Sequence, residues 1–252
     1  MKKRSLNRRR IAQAVVVLVC VFALKHYYST ATADQLRWIL APTAVCVEVV
    51  SGTSFEFESG AGYKSSDQSF LIASSCAGVN FLIAAFLLLS MRRLLGDPSK
   101  SIKWGFIPAA AGIAYLVTII ANTARIAIAL RSHEFDGGWL NPSQLHRIEG
   151  IFIYFGFLLL LFVTSESMTS NDNSGLFKKC LFPLVVYYAT TFGMPIANGA
   201  YRQGAAFWEH SLIVLLIPLV MILPVALFHF CRSRFLRSET IRPRAWLRTQ
   251  SS

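Results

Sequence analysis

The chain has 252 residues, of which 54% are hydrophobic and only 15% are charged. Soluble domains carry about 25% charged residues, so this composition and the mean hydropathy of +0.48 exclude an ordinary soluble enzyme and favour a protein embedded in a bilayer. The formal net charge of +12 comes from short basic blocks beside apolar segments. Such blocks set membrane orientation and attract anionic lipid. Since no recognition motif accompanies them, no nucleic-acid partner is expected.

Seven apolar runs follow one another along the chain and predict its fold. A helix needs about 20 residues to cross a bilayer, and all but the second run meet that length. The fold class is therefore all-α: a polytopic transmembrane helical bundle with about six spans and one short re-entrant or interfacial segment, or seven helices if that segment is helical. The runs are 11–28, 36–50, 70–90, 104–130, 146–165, 180–200 and 211–231.

The terminal segments and one outer segment complete the predicted organisation. Residues 1–10 form a basic cytoplasmic arm, 11–231 the transmembrane domain, and 232–252 a basic cytoplasmic tail. The outer segment 51–69 is rich in Gly and Ser with aromatic interruptions. This composition predicts a loop or a short hairpin over the site described below.

Run 36–50 is short and contains Arg37, Pro42 and Glu48. If it does not cross the membrane and the N-terminus is inside, the inner segments hold 18 Lys and Arg residues and the outer segments 6. If it does cross, the counts become 10 inside and 14 outside. The positive-inside rule therefore predicts six crossings, with both termini in the cytoplasm.

The first run also has the pattern of a signal peptide. A basic segment precedes an apolar core, and Ala31-Thr32-Ala33 fits a cleavage site. The apolar core ends well before that site, which favours an uncleaved membrane anchor. Cleavage would leave the topology of the remaining chain unchanged.

The five cysteines are odd in number, widely scattered, and form no Cys-x-x-Cys pair. The spacings predict neither a disulfide framework nor a metal site, and no cofactor is expected. Most of them lie in apolar runs, where cysteine is usually a small buried hydrophobe. Core packing is therefore the simplest interpretation of Cys76 taken alone.

Cys76, Arg125 and His146 fall at one depth in this topology. Cys76 lies about six residues into the third run, roughly 9 Å below the outer boundary for a helix. Arg125 lies about five residues from the outer end of the fourth run, and His146 opens the fifth run from the same side. Three helices would then present a thiol, a guanidinium and an imidazole to one layer.

Arg125 has two interpretations. An arginine inside a span costs about 2.5–3.5 kcal/mol on insertion scales, and it either extends to the interface or faces a polar interior. Asn122, three residues earlier, lies on the same helix face. This pairing favours an inward orientation, in which the guanidinium stabilises negative charge on a nearby thiolate nucleophile.

Three other polar residues complete the predicted site. Small residues surround Cys76, and Asn80 is expected one turn further along the same helix face. His146 follows a helix-start signal, which makes a capping or interfacial role an alternative to proton transfer. Glu149 follows three residues later, where it could orient the imidazole ring.

At these residues the sequence resembles the exosortase/archaeosortase family of membrane cysteine proteases and transpeptidases, most closely the exosortase K type. The matched segment covers about residues 70–165, and Cys, Arg and His occur in the same order. The motifs are Ser75-Cys76-Ala77-Gly78, Asn122-Thr123-Ala124-Arg125-Ile126, and His146 with Gly150 four residues later.

The resemblance implies a catalytic Cys76 with Arg125 and His146 completing the site. It also implies the substrate: secreted proteins that end in a short motif, one transmembrane helix and a basic cluster. These would be cleaved just outside the membrane, and the new C-terminus would pass to an unknown acceptor or to water. The alternative is a non-enzymatic transporter or assembly scaffold whose Arg125 binds an anion, and the substrate-binding residues are open in either case.

Overall fold

The computed structural model describes residues 8–96, 102–132, 142–167 and 176–240. Helices dominate this part of the chain, and one small antiparallel sheet lies between the second and third helices. The helices are α1 (Arg8–Thr30), α2 (Arg37–Ser51), α3 (Val79–Leu95), α4 (Phe106–Ser132), α5 (Pro142–Ser167), α6 (Leu176–Tyr188), α7 (Met194–Ala197) and α8 (Ala205–Thr240), and the strands are β1 (Phe55–Glu58), β2 (Gly62–Ser65) and β3 (Leu71–Ile72).

Six helical segments are long and apolar enough to cross a membrane, so the chain is a multi-pass membrane protein and the predicted bundle is confirmed. The segment that contains α3 is the most buried of the six, because α3 packs against α1, α4, α5 and α6. The interior of the bundle is therefore built around α3. The six segments are Arg8–Thr30, Ser74–Leu95, Phe106–Arg131, Gln144–Ser165, Cys180–Ala197 and Phe207–Pro224.

Helix α1 runs antiparallel to α3 and is held to it at both ends. Near the start of α1, Arg10 donates from NH1 to the carbonyl oxygens of Leu94 and Gly96, at 3.0 and 3.1 Å. Near its end, Lys25 Nζ donates to Asn80 Oδ1 at 2.7 Å. The two contacts are separated by a rise of about 22 Å along the helices. These contacts fix the register in which α1 faces α3.

Segment 36–50 forms most of α2, a single helix of 15 residues. The helix rises about 22 Å, less than the hydrocarbon thickness of about 30 Å, and it is not among the six candidate spans. Helix α2 packs against α4, where Trp38 and Tyr115 stack with ring centroids 5.8 Å apart. The short segment is therefore helical, as the seven-helix alternative expected.

The sheet confirms the hairpin predicted in segment 51–69, with strand order β1-β2-β3. Glu48, near the end of α2, accepts a hydrogen bond from the Phe55 amide at 2.6 Å. Asp34, just before α2, accepts from Ser59 Oγ and the Gly60 amide at 2.9 and 2.8 Å, and the Ser59 bond is the main reason that the pKa of Asp34 is lowered. The hairpin is thus fastened near both ends of α2.

This attachment bears on the membrane position of α2. The hairpin carries two exposed carboxylates on β1, Glu56 and Glu58. A full crossing by α2 would draw these carboxylates into hydrocarbon, which is costly for a charged group. The pairing of helix and hairpin therefore favours an interfacial position for α2.

The third apolar run departs from its prediction. Residues 70–90 were expected to form one helix, but Leu71–Ile72 is a strand and Ser74–Cys76 a single 3₁₀ turn. Helix α3 begins only at Val79, after Gly78, whose φ of +71° is left-handed. Cys76 therefore lies in a turn at the head of α3 and not six residues inside a helix.

The last helices extend beyond the predicted runs. Segment 180–200 begins in α6 and continues through a π-helical turn, Ala189–Gly193, into α7, forming one candidate span. Helix α8 begins before residue 211 and continues to Thr240, so it includes the start of the predicted tail. Residues 1–7 and 241–252, and most of the loop 166–175, lie outside the described residues.

Candidate active site

Cys76 is held by the turn that introduces α3. Its amide donates to the Ala73 carbonyl at 2.9 Å, and its side chain is half-buried. Helix α3 starts at Val79, directly after Gly78, so the thiol lies at the N-terminal end of the most buried span. That end of a helix carries partial positive charge, which favours negative charge nearby.

A chain of hydrogen bonds runs from this turn across α4 to α5. Asn122 Nδ2 donates to the Cys76 carbonyl oxygen at 2.6 Å, and Tyr154 donates its hydroxyl proton to Asn122 Oδ1 at 2.8 Å. Arg125 NH1 then donates to the Tyr154 oxygen at 3.2 Å, and Arg125 NH2 lies 2.7 Å from His146 Nε2. Four side chains and one carbonyl thus form a continuous polar network.

The network determines the tautomer and the charge of the His146 ring. A guanidinium can only donate hydrogen bonds. His146 Nε2 must therefore accept from Arg125 NH2, and the ring carries its single proton on Nδ1. In this arrangement His146 is a neutral imidazole whose Nε2 lone pair is occupied by Arg125.

One face of α5 receives Arg125. His146, Gly150 and Tyr154 are spaced by four residues, so they form a stripe along the helix. Arg125 contacts the first and last of these residues, and a Cβ on Gly150 would lie only 3.0 Å from Arg125 Nε. Arg125 therefore faces α5 and does not extend toward the lipid. Because Gly150 has no side chain, the Arg125 side chain can occupy the space beside it.

We expect a Gly150→Ala substitution to displace the guanidinium. The added methyl group would also lie 3.5 Å from Arg125 Cδ, so the side chain has to move away from His146 and Tyr154. A displacement of about 1 Å in a positioned catalytic group costs about 10²-fold in rate. The measurements are the melting temperature of the purified protein and, if the site is catalytic, its rate of reaction.

Gly156→Ala is the matched control on the same helix. Its Cβ would meet only Met221 Cε, at an ordinary 3.8 Å. Alanine in place of an interior helix glycine stabilises by roughly 0.5–1 kcal/mol, so this variant should be active and slightly more stable. Equal activity of the two alanine variants would contradict the role assigned to Gly150.

The three predicted supporting residues, Asn80, Asn122 and Glu149, lie in different surroundings in the structure. Asn122 is fully buried and links Cys76 to Tyr154. Asn80 is exposed and accepts from Lys25, so it does not share a helix face with Cys76 as expected. Glu149 lies half-buried on α5, one turn from His146, and its proposed effect on the imidazole ring stays a prediction.

Tyr154 is the site residue that sequence reasoning missed. It lies eight residues after His146 inside a strongly apolar run, where an aromatic residue is usually core packing. Its ring stacks on Phe81 with centroids 5.0 Å apart, and its hydroxyl both donates and accepts within the network. The four-residue spacing from His146 through Gly150 was the available signal.

Comparison of the chain with protein-family models, curated proteins and solved structures finds no match in any of the three. Within the described ranges, no three His, Cys, Asp or Glu side chains lie together as a metal site would require. The chemistry of the site therefore has to be argued from its own residues, which are a thiol, a guanidinium, an imidazole and a phenol.

Proposed function

We propose that the chain is an exosortase-like membrane cysteine protease or transpeptidase. It would cleave the C-terminal sorting tails of secreted proteins at the outer face of the bacterial inner membrane, with both of its own termini in the cytoplasm. The observation that carries the proposal is the network from the Cys76 carbonyl through Asn122, Tyr154 and Arg125 to His146. It joins the residues of three separate sequence motifs that resemble those of the family.

The proposed reaction proceeds through a thioacyl intermediate. The Cys76 proton passes to His146, the sulfur attacks the scissile carbonyl, and an S–C bond forms as the carbonyl electron pair moves to oxygen. Collapse of this adduct breaks the C–N bond, and the imidazolium gives its proton to the leaving amine. The acceptor amine or water then gives a proton to His146 and attacks the thioester. The S–C bond breaks, and the Cys76 sulfur takes the proton back from His146.

Arg125 acts electrostatically in this scheme. A guanidinium cannot serve as a base under physiological conditions. In this scheme Arg125 stabilises negative charge on the sulfur or on the carbonyl oxygen. For His146 to accept a proton at Nε2, Arg125 NH2 must release that nitrogen, so the guanidinium shifts when substrate enters.

The test is cleavage of a secreted reporter fused to a sorting tail. The tail is taken from a protein of the same genome that ends in a short motif, one apolar helix and a basic cluster. Cys76→Ala should abolish the shift to the shorter reporter on immunoblots. Cys46→Ala, which removes another half-buried cysteine, should leave it intact. Processing at the normal rate by Cys76→Ala would overturn the proposal.

A second measurement separates the enzyme from a non-enzymatic membrane protein. Intact cells are treated with a membrane-impermeant maleimide, and each labelled cysteine is identified by mass spectrometry. Selective, pH-dependent labelling of Cys76 supports an outward-facing reactive thiol. An inert Cys76 beside labelled neighbours favours a transporter or scaffold whose Arg125 binds an anion.

A further inference from the structure

Strand β3 is an edge of the small sheet and leads directly into the turn that holds Cys76. The strand order is β1-β2-β3, so β3 pairs with β2 alone within the described sheet, and α2 packs against β1 and β2. After Ile72, Ala73 is still extended, and the 3₁₀ turn Ser74–Cys76 follows. An edge strand with unpaired backbone groups is a template for another extended chain.

The backbone of Leu71 presents one hydrogen-bond donor and one acceptor to this edge. In an antiparallel ladder, pairs that exchange hydrogen bonds alternate with pairs that do not. The Ser65 amide donates to the Phe70 carbonyl oxygen at 2.9 Å. The next pair, Leu71 with Lys64, therefore exchanges no hydrogen bond, and the Leu71 N–H and C=O groups point away from β2. Neither group has a partner among the residues that the structure describes, and Leu71 is 42% exposed.

The distance from Leu71 to Cys76 is short enough for a few extended residues to cover. The chain between them makes three extended steps of about 3.3 Å and two 3₁₀ steps of about 2 Å, so the two Cα atoms lie within about 14 Å of each other. Four extended residues span about 13 Å. A peptide that pairs with Leu71 can therefore place a bond about four residues further along at the Cys76 thiol.

We infer that the free edge of β3 binds the sorting motif of the substrate as an added strand. The inference rests on the proposed function. Extended peptides bind sheet edges through main-chain hydrogen bonds, and a peptide backbone supplies both an acceptor for the Leu71 N–H and a donor for its C=O. The motif precedes the transmembrane helix of the tail, so the scissile bond lies C-terminal to the residues that pair with Leu71. The added strand is therefore parallel to β3 and runs in the direction of Cys76.

Leu71→Pro tests the inference because it removes the outward N–H and keeps the backbone hydrogen bonds between β2 and β3. Proline is tolerated on an edge strand where its nitrogen faces away from the ladder. At limiting amounts of the sorting-tail reporter, cleavage should fall by about 10-fold, and more reporter should restore it, because the lost hydrogen bond contributes to binding. Alkylation of Cys76 by iodoacetamide in the purified full-length protein, measured against Cys76→Ala, should be unchanged. Leu71→Val keeps the N–H in a residue that favours strands, so this matched control should cleave at the unmodified rate.

Disulfide trapping tests the position and direction of the added strand. In full-length Cys76→Ala, which should bind the reporter without cleaving it, Leu71→Cys is combined with single cysteines along the reporter motif. Residues that face each other on neighbouring strands are close enough for a disulfide, and successive residues point to opposite faces. Crosslinking should therefore peak at one position on the N-terminal side of the scissile bond and fall at its two neighbours. Cys76→Ala alone gives the background of the other cysteines.

The outcomes separate the binding site from the proposed function. Cleavage by Leu71→Pro at the unmodified rate would overturn the inference, and so would a loss of cleavage matched by slower alkylation of Cys76, which indicates a changed turn. Crosslinks that are absent, spread evenly, or found only beyond the scissile bond would also overturn it. If Cys76→Ala still cleaves the reporter, the proposed function fails. If Cys76→Ala is inactive and Leu71→Pro cleaves normally, only the binding site at β3 fails.

Discussion

Replacement of Arg125 by lysine is expected to lower sorting-tail cleavage by about 10²–10³-fold, although the positive charge is kept. The guanidinium reaches Tyr154 from NH1 and His146 from NH2 at the same time. A single ammonium group on a flexible chain cannot reproduce this fork. Tyr154 and Asn122 would then lose the contact that connects them to His146. The measurement is the cleavage rate of the reporter in cells with matched expression.

Arg131→Lys provides the control for this substitution. Arg131 is exposed in the last turn of the same helix, α4, so the same change of side chain there should leave cleavage unaltered. An Arg125→Lys variant that cleaved the reporter as fast as the unmodified protein would show that only the charge matters. The forked contact would then have no part in the reaction.

The helical bundle is predictable from the sequence because the lipid constrains it strongly. In hydrocarbon, every backbone N–H and C=O group must form a hydrogen bond within the protein. A long apolar run that crosses the bilayer therefore forms a helix. The inward orientation of Arg125 follows from the same physics. A charged side chain inside a span needs polar neighbours, and Asn122 on the same face supplied the clue.

The head of α3 was not predictable in this way. Phe70, Leu71 and Ile72 are as apolar as the helix that follows, and hydropathy does not distinguish a strand from a helix over so few residues. Gly78, with its left-handed φ, separates the turn at Cys76 from α3, and the φ of a single glycine in an apolar run cannot be read from the sequence. The prediction that Cys76 lies inside a helix was therefore wrong, and its depth in the membrane stays a prediction.

The role of Tyr154 was also hidden, for a related reason. It lies in a run that helix length alone explains, where an aromatic residue is usually core packing. Its polar contacts are between helices, since its hydroxyl meets Asn122 and Arg125 of α4. Periodicity within one helix identifies which residues share a face but not which helix lies opposite.

The turn at Cys76 should tolerate substitution poorly, and Gly78→Ala is expected to cost about 2–5 kcal/mol of stability. A left-handed backbone costs a non-glycine residue about 1–2 kcal/mol, and crowding in a packed interior adds about 1–3 kcal/mol. The crowding arises because a Cβ on Gly78 would lie 3.3 Å from both Asn122 Cγ and Thr118 Cγ2, and 3.4 Å from the Tyr154 hydroxyl. The measurement is thermal unfolding in detergent together with reporter cleavage.

Gly60→Ala separates backbone strain from crowding. Gly60 also has a left-handed φ, +81°, but a Cβ there would meet nothing within 4 Å. Its substitution should therefore show the backbone strain alone, in the turn between β1 and β2, and leave cleavage intact. Gly78→Ala should in addition push Asn122 and Tyr154 away from the Cys76 carbonyl, so its loss of cleavage should exceed its loss of folded protein. If Gly78→Ala and Gly60→Ala had equal effects on stability and on cleavage, the turn at Cys76 would tolerate a side chain. Asn122 would then not position Cys76.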